Sequence, residues 1–384
     1  MAETALKAGL NLDVPAHARA VLKINLNAAR RNWRKLNNMT AGAICGAVVK
    51  ADAYGLGLDK VIPAIASEGC DTFFVATLEE GKRVRNFLAN AQIYVLDGLI
   101  PGSEAYYNSF DLRPVLSSVE EARDWAYFCR SQQKRLPAAI QVDTGMNRLG
   151  LSFNEFMQIT GERELLQTFK LTLLISHLAC ADTPDSHNNK IQLESFERAR
   201  RALPDVPCSL ANSAGVFLGS KFHFDVVRPG IAIYGGRAFE GKRNPMECVA
   251  ELYGRILQLR HAKAGETVGY GAVHHTNRPT KIATVSVGYA DGFLRSLGGN
   301  KTGPGPSVYI ASHKVPVVGR VSMDLITIDV TDVPSGLVQR GGWVEMIGTQ
   351  TSVDDLADFA GTIGYEILTR LGHRAHRVYA EHQG

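Results

Sequence analysis

The sequence lacks long apolar runs and closely spaced cysteines. None of its apolar stretches reaches the length of about 18 residues that a membrane-spanning helix needs. The six cysteines lie far apart without a Cys-x-x-Cys pair, which indicates neither a zinc site nor a disulfide framework. These absences predict free thiols in a reducing compartment, and no metal site.

An excess of charge of one sign is also missing. Lys and Arg number 42 against 38 Asp and Glu, a net charge of +4 with both signs interspersed. No basic run or aromatic platform indicates a nucleic-acid or membrane surface. We therefore expect a small-molecule partner, with no nucleic acid and no membrane.

The amino terminus carries no pattern typical of a secretory leader. Its first eighteen residues hold a single Lys, Lys7, and Pro15 and several polar residues interrupt the apolar ones. Residues 1–18 are therefore predicted to be a tail, and the protein to be cytoplasmic.

The length predicts two domains. A chain of 384 residues, 45% of them hydrophobic and 8% aromatic, can fill two cores at roughly 150 residues each. The sequence pattern changes near residue 251. We place a first domain at 19–250 and a second at 251–384.

The first domain alternates short apolar runs with helical patterns. Segments such as Val119 to Gln133 and Asn188 to Leu203 have apolar residues three and four positions apart. Eight βα units favour a (β/α)₈ barrel over an open doubly wound sheet. The eight candidate strands are Ala43–Lys50, Thr72–Ala76, Gln92–Asp97, Arg113–Leu116, Ala138–Asp143, Phe169–His177, Cys208–Ala211 and Phe224–Arg228.

The second domain is expected to be mostly β. Its β-branched runs are separated by Gly, Pro and Asp clusters, which is typical of strands and turns. A helix near Val353 to Leu371 is expected to close it. The predicted strands are Lys281–Val287, Ser307–Ala311, Pro316–Val321, Leu325–Val330 and Trp343–Ile347.

Cationic and polar residues follow several strands of the predicted barrel. They are Lys50, Arg148, His177, Ser213 and Arg228. Because the carboxyl ends of barrel strands meet at one face, these side chains are expected to converge on one mouth. Taken singly, Lys50 could extend to solvent, His177 could be structural, and either arginine could form a surface ion pair. Their joint placement favours a site.

At these residues the sequence resembles the alanine racemase family of fold-type III enzymes, which use pyridoxal 5'-phosphate (PLP). The resemblance covers nearly the whole chain. It implies a PLP-binding barrel followed by a β domain, with the strand near 19–27 joining the β domain. The matching segments, in order, are VLKINLNAARRNW, VVKADAYGLG, DTGMNRLGL, SHLACAD, ANSAG, VRPGIAIYG, VGYADGF, VGRVSMD and GTIGYEILTRLGHR.

The resemblance implies how this chain binds its cofactor. Lys50 would carry PLP as an aldimine, since an amine in a partly desolvated mouth loses its proton more readily than in water. Arg228 would face the pyridine nitrogen. Because a guanidinium cannot accept a proton from that nitrogen, the ring would stay unprotonated. The remaining cofactor-binding residues would be Tyr54, Asn212, Ser213, Gly230, Ile231 and Tyr365.

The resemblance also implies a homodimer that interconverts L-alanine and D-alanine. Racemisation needs acid/base groups on two faces, and these would be Lys50 and Tyr289 of the partner subunit. His177, hydrogen-bonded towards Arg228, would assist as a further catalytic residue. Substrate-binding residues would be Arg148 and, again from the partner chain, Met323 and Asp324. Taken alone, a residue such as Tyr289 is more often a packed aromatic at a strand end, and it is the resemblance that favours the catalytic role. The family use of the product is D-alanine for peptidoglycan.

One residue departs from the family pattern. Many members carry a carbamylated lysine that holds the active-site arginine, and this chain has Gln141 at that place. Glutamine cannot form a carbamate. We hypothesise that a small anion such as chloride lies near Arg148 and Gln141.

Other functions share parts of this pattern. A fold-type III decarboxylase would have the barrel and the lysine, but it typically offers the pyridine nitrogen a Glu where this chain has Arg228. A racemase of serine or other amino acids remains open. Non-catalytic PLP-binding proteins on this barrel lack the second domain, which carries Tyr289 here.

Overall fold

A computed structural model describes residues 14–40, 42–241, 243–300 and 303–381. Residues 1–13 of the predicted tail lie outside the described residues. The described residues separate into two compact units, one formed by those within 29–247 and the other by those within 1–28 and 248–384.

The unit at 29–247 is a parallel barrel, and it confirms the expected fold class. Its first strand is split at Gly46, so that Ile44–Cys45 pairs with Val226–Val227 while Ala47–Val48 pairs with Thr72–Val75. This double pairing joins the last strand to the first. In chain order the strands are Ile44–Cys45, Ala47–Val48, Thr72–Val75, Gln92–Val95, Arg113–Leu116, Pro137–Gln141, Lys170–Ile175, Cys208–Ser209 and Val226–Val227.

Helices follow the strands of this unit, and several begin with a side-chain cap. Thr77, Ser118 and Ser152 each accept the N–H of a glutamate three residues ahead, which satisfies a donor at the helix start. The helices are Leu26–Met39, Lys50–Tyr54, Leu58–Ala66, Leu78–Phe87, Glu104–Ser109, Val119–Ser131, Phe153–Gly161, Arg163–Leu166, His187–Ala202 and Ser213–Phe217, with a 3₁₀ turn at Ser220–Phe222.

The core of this unit is built from large side chains that are fully buried, among them Phe73, Phe74, Trp125 and Phe156. Each such side chain contributes about 2–3 kcal/mol of transfer free energy. Close packing at Gly46 shows how little space remains, since a Cβ there would meet Phe74 Cε2 at 2.8 Å.

The second unit holds an eight-stranded sheet that is mostly antiparallel, as expected for a mostly β domain. In sheet order its strands are Thr280–Val285, Ile326–Asp329, His313–Val318, Ser307–Ile310, Trp343–Ile347, Ala250–Ala262, Ala20–Asn25 and His376–Ala380. A short pair, Thr267–Val268 and His274–His275, and 3₁₀ turns at Tyr270–Ala272, Tyr289–Asp291, Arg295–Leu297 and Ser335–Leu337 complete it. Ala20–Asn25 pairs with Ala250–Ala262 on one side and with His376–Ala380 on the other.

One predicted element of this unit is wrong. The single helix expected near Val353 to Leu371 is two helices, Val353–Ala360 and Gly364–Thr369. Gly361 ends the first of them with φ of 70°, a left-handed conformation that glycine adopts without strain.

Two further findings bear on the sequence expectations. Within the described residues, no helix combines the length and the apolar character needed to cross a membrane. Each of the six cysteines is a free thiol, and four of them, Cys45, Cys70, Cys129 and Cys208, are buried.

Candidate functional site

Lys50 lies at the carboxyl end of the first barrel strand and is followed by an unusual turn. Residues 51–54 all have φ between 53° and 56°, so four consecutive L-residues are left-handed. Each such residue costs about 1–2 kcal/mol. A turn of this kind persists only where its surroundings hold it in place.

Hydrogen bonds within the turn and from the Leu78–Phe87 helix hold these residues in place. Asp52 Oδ1 accepts the Leu58 N–H at 3.1 Å and a guanidinium hydrogen of Arg83 at 2.9 Å. Glu80 Oε1 accepts the Ala51 N–H at 2.6 Å. The backbone bond from Gly57 N to Asp52 O, at 2.9 Å, closes the turn.

The charges around Lys50 oppose one another. Burial lowers the pKa of the Lys50 amine, and Arg148 and Arg228 lower it further by repulsion. Asp97 and Glu80 raise it. The net direction is downward, which increases the fraction of neutral amine able to act as a nucleophile or a base.

Arg228 is a buried cation at the end of the last barrel strand. It donates to Ser209 Oγ and to the Ser176 carbonyl, both at 2.6 Å, and its exposed fraction is 3%. Burial lowers the pKa of Arg228 to about 9, so the guanidinium stays charged at neutral pH. Its Cζ also lies 5.9 Å from the Phe74 ring centroid.

His177 lies beside Arg228 and is neutral. Its Nδ1 is 3.5 Å from Nη2 of Arg228. Burial, followed by the positive charges of Arg228, Arg148 and Lys50, lowers the pKa of His177 to about 3. A guanidinium has no acceptor, so Nδ1 accepts and the imidazole proton is on Nε2.

Small residues and hydroxyls form a second group at the mouth. Ser213 Oγ accepts the N–H of Gly230 at 2.7 Å and that of Ala232 at 3.3 Å. Asn212 Oδ1 caps the short Ser213–Phe217 helix by accepting the Gly215 N–H at 2.9 Å. Because both N–H groups occupy the lone pairs of Ser213, its hydroxyl hydrogen is directed elsewhere.

The Tyr54 hydroxyl lies against Gly230 in this group. A Cβ placed on Gly230 would lie 2.1 Å from the Tyr54 hydroxyl oxygen, so only glycine fits there. The Tyr54 ring stacks on Tyr234 at 4.6 Å, and Tyr234 donates to the Val48 carbonyl at 2.9 Å. The adjacent Ile231 is fully buried.

Arg148 lies in a loop organised by a carboxylate. Asp143 accepts the backbone N–H groups of residues 145, 146 and 147 at 2.9–3.0 Å. Gln141 Nε2 donates to the Leu149 carbonyl at 2.9 Å. Arg148 itself is exposed, and within the described part of the chain it forms no ion pair.

The second unit brings three of the predicted site residues together. Tyr289 donates its N–H to Ser322 O, and Ala290 donates to Met323 O, both at 3.0 Å. A Cβ on Gly288 would meet Met323 O at 2.3 Å, so these two loops need glycine to approach so closely. Tyr289 and Met323 are 42% and 54% exposed, with Asp324 next to them in the chain.

Ion pairs fix these loops to the rest of their unit. Buried Asp291 accepts the Gly288 N–H at 2.9 Å and pairs with Arg19 at 3.1 Å. Arg374 lies 3.4 Å from Asp291 and donates to Asp324 at 2.7 Å. Tyr365 lies elsewhere in this unit, half-buried on the Gly364–Thr369 helix.

Several residues of the barrel mouth were not predicted from the sequence. Glu80, Asp97, Ser209 and Tyr234 all act on the predicted site residues. A signal existed only for Glu80, because the Thr-x-x-Glu spacing from Thr77 is that of a capping box. Asp97, Ser209 and Tyr234 lie far in sequence from the residues on which they act.

Comparison with known proteins identifies the family of both units. The alanine racemase N-terminal domain matches residues 24–238, and the alanine racemase C-terminal domain matches residues 249–379. The alanine racemase of Methylobacterium sp. (strain 4-46) is 47% identical over 362 residues, covering 94% of this chain and 98% of the relative.

Solved structures agree with this assignment. Alanine racemase from Bartonella henselae, with covalently bound pyridoxal phosphate, is 40% identical with a TM-score of 0.90, covering 94% of this chain and 100% of that one. The biosynthetic alanine racemase from Pseudomonas aeruginosa is 33% identical with a TM-score of 0.87, covering 95% and 100%. The chain belongs to the alanine racemase family, the enzymes that interconvert L-alanine and D-alanine.

Proposed function

We propose that this chain racemises alanine with pyridoxal 5'-phosphate held on Lys50 in the barrel mouth. The observation that carries the proposal is the pairing of a lysine whose pKa is lowered by burial with a buried, charged Arg228 that shares its mouth. When bound, the cofactor supplies the electron sink that makes the α-proton of alanine acidic.

The residues at the mouth suit a group with a phosphate and a pyridine ring. The Ser213 hydroxyl has both lone pairs occupied by N–H donors, so its hydrogen can be donated to an anion. The Tyr54 hydroxyl lies against Gly230, and Asn212 and Ile231 flank the same turn. Tyr365 would add a further hydroxyl to this set. Arg228 can donate to a ring nitrogen and cannot accept a proton from it.

Two groups of this chain would move the α-proton. Lys50 would remove or deliver it on one face of the substrate, and Tyr289 of the partner subunit on the other. His177 is neutral and lies beside Arg228. Its Nε2–H would be a donor towards the negative charge that develops on the Tyr289 oxygen when Tyr289 gives up its proton. Arg148 and, from the partner subunit, the Met323 N–H would bind the substrate carboxylate, with Asp324 next to Met323.

The two-base assignment is tested by Tyr289→Phe. The variant keeps the ring and loses the proton, so we expect exchange of the α-hydrogen of L-alanine with solvent to fall about a hundredfold. Exchange from D-alanine, which depends on Lys50, should fall much less. Equal losses from the two enantiomers would contradict the assignment.

We propose that the active form is a homodimer with composite sites. Tyr289 and Met323 are large apolar side chains left about half exposed on one chain, and burying them against a second copy would remove that exposure. Co-expressed Lys50→Ala and Tyr289→Phe chains should regain activity, because a mixed dimer contains one intact site. Mixtures that stay as inactive as the parents would exclude shared sites.

A chloride ion near Arg148 and Gln141 is the proposed substitute for the carbamylated lysine. Gln141 already donates to Leu149, and no described carboxylate pairs with Arg148. Arg148 is exposed on a single chain, so an anion would be favoured there once the partner subunit and the substrate exclude water from the site. Crystals grown in bromide should show an anomalous peak beside both residues, and its absence would reject the site.

The biological role is proposed to be cytoplasmic supply of D-alanine for peptidoglycan. The support is membership of a family that makes this product. Expression of the chain should allow a bacterium that requires D-alanine to grow without it. Failure to grow, in cells that contain active enzyme, would contradict the proposed supply of D-alanine.

The central experiment combines a spectrum with turnover. The purified protein should absorb near ~420 nm from lysine-bound cofactor and should form D-alanine from L-alanine. Lys50→Ala should lose both. A bound cofactor without alanine turnover would redirect the search to serine and other amino acids.

A further inference from the structure

Glu80 connects the turn after Lys50 to the next strand of the barrel. It lies in the first turn of the Leu78–Phe87 helix, where its Oε1 accepts the Ala51 N–H at 2.6 Å. Its Oε2 accepts the Ala76 N–H at 2.9 Å and lies 3.4 Å from Thr77 N. One carboxylate thus joins two adjacent βα loops.

The Ala51 N–H is a sensitive place for such a bond. Ala51 directly follows Lys50 and is the first of the four left-handed residues. The Lys50 side chain leaves the backbone at the point where the chain changes hand. Loss of the bond would therefore change the direction in which the amine points.

A second glutamate, Glu121, shows which contacts of Glu80 are common to helix caps in this barrel. Glu121 occupies the same capping position on the Val119–Ser131 helix, where the Ser118 hydroxyl accepts its N–H. Its Oε2 accepts the Ser117 N–H at 2.7 Å, and it also binds the backbone at Leu99. Glu121 is thus a cap that ties two loops together, as Glu80 is, but its loops do not carry Lys50.

Glu80 is also part of the charge around the amine. The charged groups that act on Lys50 are Arg148, Arg228, Asp97 and Glu80. The two carboxylates oppose the two guanidiniums. Removing the charge of Glu80 would therefore increase the net electrostatic repulsion that the Lys50 ammonium feels from the two arginines.

We propose that Glu80 is a positioning residue for Lys50, whose carboxylate holds the left-handed turn so that the amine faces the substrate's α-proton. The proposal rests on the proposed function in taking Lys50 as the base for D-alanine. Glu80 acts through the turn and has no contact with the reacting atoms. Its substitution should weaken one direction of proton transfer and leave the Tyr289 direction nearly intact.

The test uses Glu80→Gln in the holoenzyme. An amide offers one acceptor oxygen and places an NH₂ donor against either the Ala51 or the Ala76 N–H. We expect α-hydrogen exchange from D-alanine to fall about tenfold, and from L-alanine by less than about threefold. The deuterium isotope effect should rise for D-alanine alone.

A second measurement reports on the stability of the left-handed turn and does not depend on catalysis. Hydrogen–deuterium exchange of a peptide containing Ala51 should become faster in Glu80→Gln holoenzyme. Glu80→Asp keeps the charge but shortens the reach, so it should speed exchange in the same peptide and separate geometry from charge. Glu121→Gln is the matched control and should leave this peptide and both proton-transfer rates unchanged.

Three results would overturn the proposal. Equal losses with both enantiomers in Glu80→Gln would show a general loss of stability, and unchanged amide exchange at Ala51 would show that the carboxylate does not hold the turn. The same asymmetry in Glu121→Gln would make it a generic effect of losing a cap. Racemisation retained by Lys50→Ala would instead contradict the proposed function, independently of Glu80. Should Glu80→Gln not fold, Glu80→Asp decides by the same measurements.

Discussion

Nη2 of Arg228 lies 3.5 Å from Nδ1 of His177, and the same nitrogen donates to the Ser176 carbonyl at 2.6 Å. The two side chains thereby fix each other. The arginine stays charged and the imidazole stays neutral, because two adjacent cations in a buried site would repel. In the proposed function Arg228 would be an unusual partner for the pyridine nitrogen of the cofactor, because a guanidinium cannot accept a proton from it.

Arg228→Glu should change the outcome of the reaction more than its rate. A carboxylate can share a proton with the ring nitrogen, which strengthens the electron sink and favours protonation of the cofactor over protonation of Cα. We expect pyruvate formed per racemisation event to rise at least about tenfold. The ratio is measured with L-alanine in one assay. An unchanged ratio would contradict the role of Arg228.

Replacing Arg228 also tests its structural bonds to Ser209 and Ser176. Arg228→Lys keeps a cation but loses the fork that reaches both oxygens. It should lower activity without raising the pyruvate ratio. An equal rise in both variants would assign the effect to lost packing.

The neutral state of His177 makes stability depend on pH. A histidine in the unfolded chain has a pKa of about 6.5, whereas burial and nearby cations lower that of folded His177 to about 3. The unfolded state therefore binds a proton that the folded state refuses. This contribution is fully present above the unfolded pKa and is lost as the pH falls towards the folded one.

His177→Asn should remove this dependence. We expect the free energy of unfolding to change between about pH 8 and pH 5 by about 2 kcal/mol less in the variant than in the parent. Denaturant titrations of the apoprotein at the two pH values measure it. His187→Asn, at an exposed position in the same unit, should keep the parent's slope.

The sequence predicted the barrel well because its signals are local. Short apolar runs between helices specify the strands. The predicted segments Val119 to Gln133 and Asn188 to Leu203 match two helices whose ends lie within two residues of those bounds. The strand Ala250–Ala262 was missed because its first half is buried and its second half largely exposed, so no single period runs through it. His376–Ala380 was missed because it is a half-buried edge strand with mixed residues.

The sequence predicted where three candidate site residues lie in the barrel, but not the geometry around them. Lys50, His177 and Arg228 follow strands, and their position at the barrel mouth follows from topology. The left-handed turn at 51–54 could not be predicted, since Ala-Asp-Ala-Tyr has ordinary right-handed propensity. The contact that holds it comes from Glu80, 29 residues after Ala51 in the chain, and such contacts leave no local pattern.

Gly230→Ala should weaken cofactor binding. The added Cβ would lie 2.1 Å from the Tyr54 hydroxyl, so Tyr54 or the Gly230 turn must move. Since Ser213 is bonded to the same turn, we expect the Kd for pyridoxal phosphate to rise about tenfold or more. Equilibrium dialysis of the apoprotein measures it. Gly161→Ala, where a Cβ meets nothing within 4 Å, is the control.

Arg374→Gln should lower activity through the loops that carry Tyr289 and Met323. Arg374 joins Asp324 to buried Asp291, which also binds the Gly288 N–H. Because Arg374 is partly exposed, its loss should change the free energy of unfolding by about 1 kcal/mol or less. A small displacement of Tyr289 should nevertheless reduce kcat about ten- to a hundredfold.

The change in kcat, compared with the change in the free energy of unfolding, shows whether Arg374 positions Tyr289 or only stabilises the fold. Arg278→Gln breaks an exposed ion pair to Asp332 in the same unit and should alter neither kcat nor the free energy of unfolding measurably. If Arg374→Gln lowers kcat only in proportion to lost folded protein, the ion pair is merely structural. If kcat falls while the unfolding transition is unchanged, Arg374 and Asp291 set the place from which Tyr289 acts.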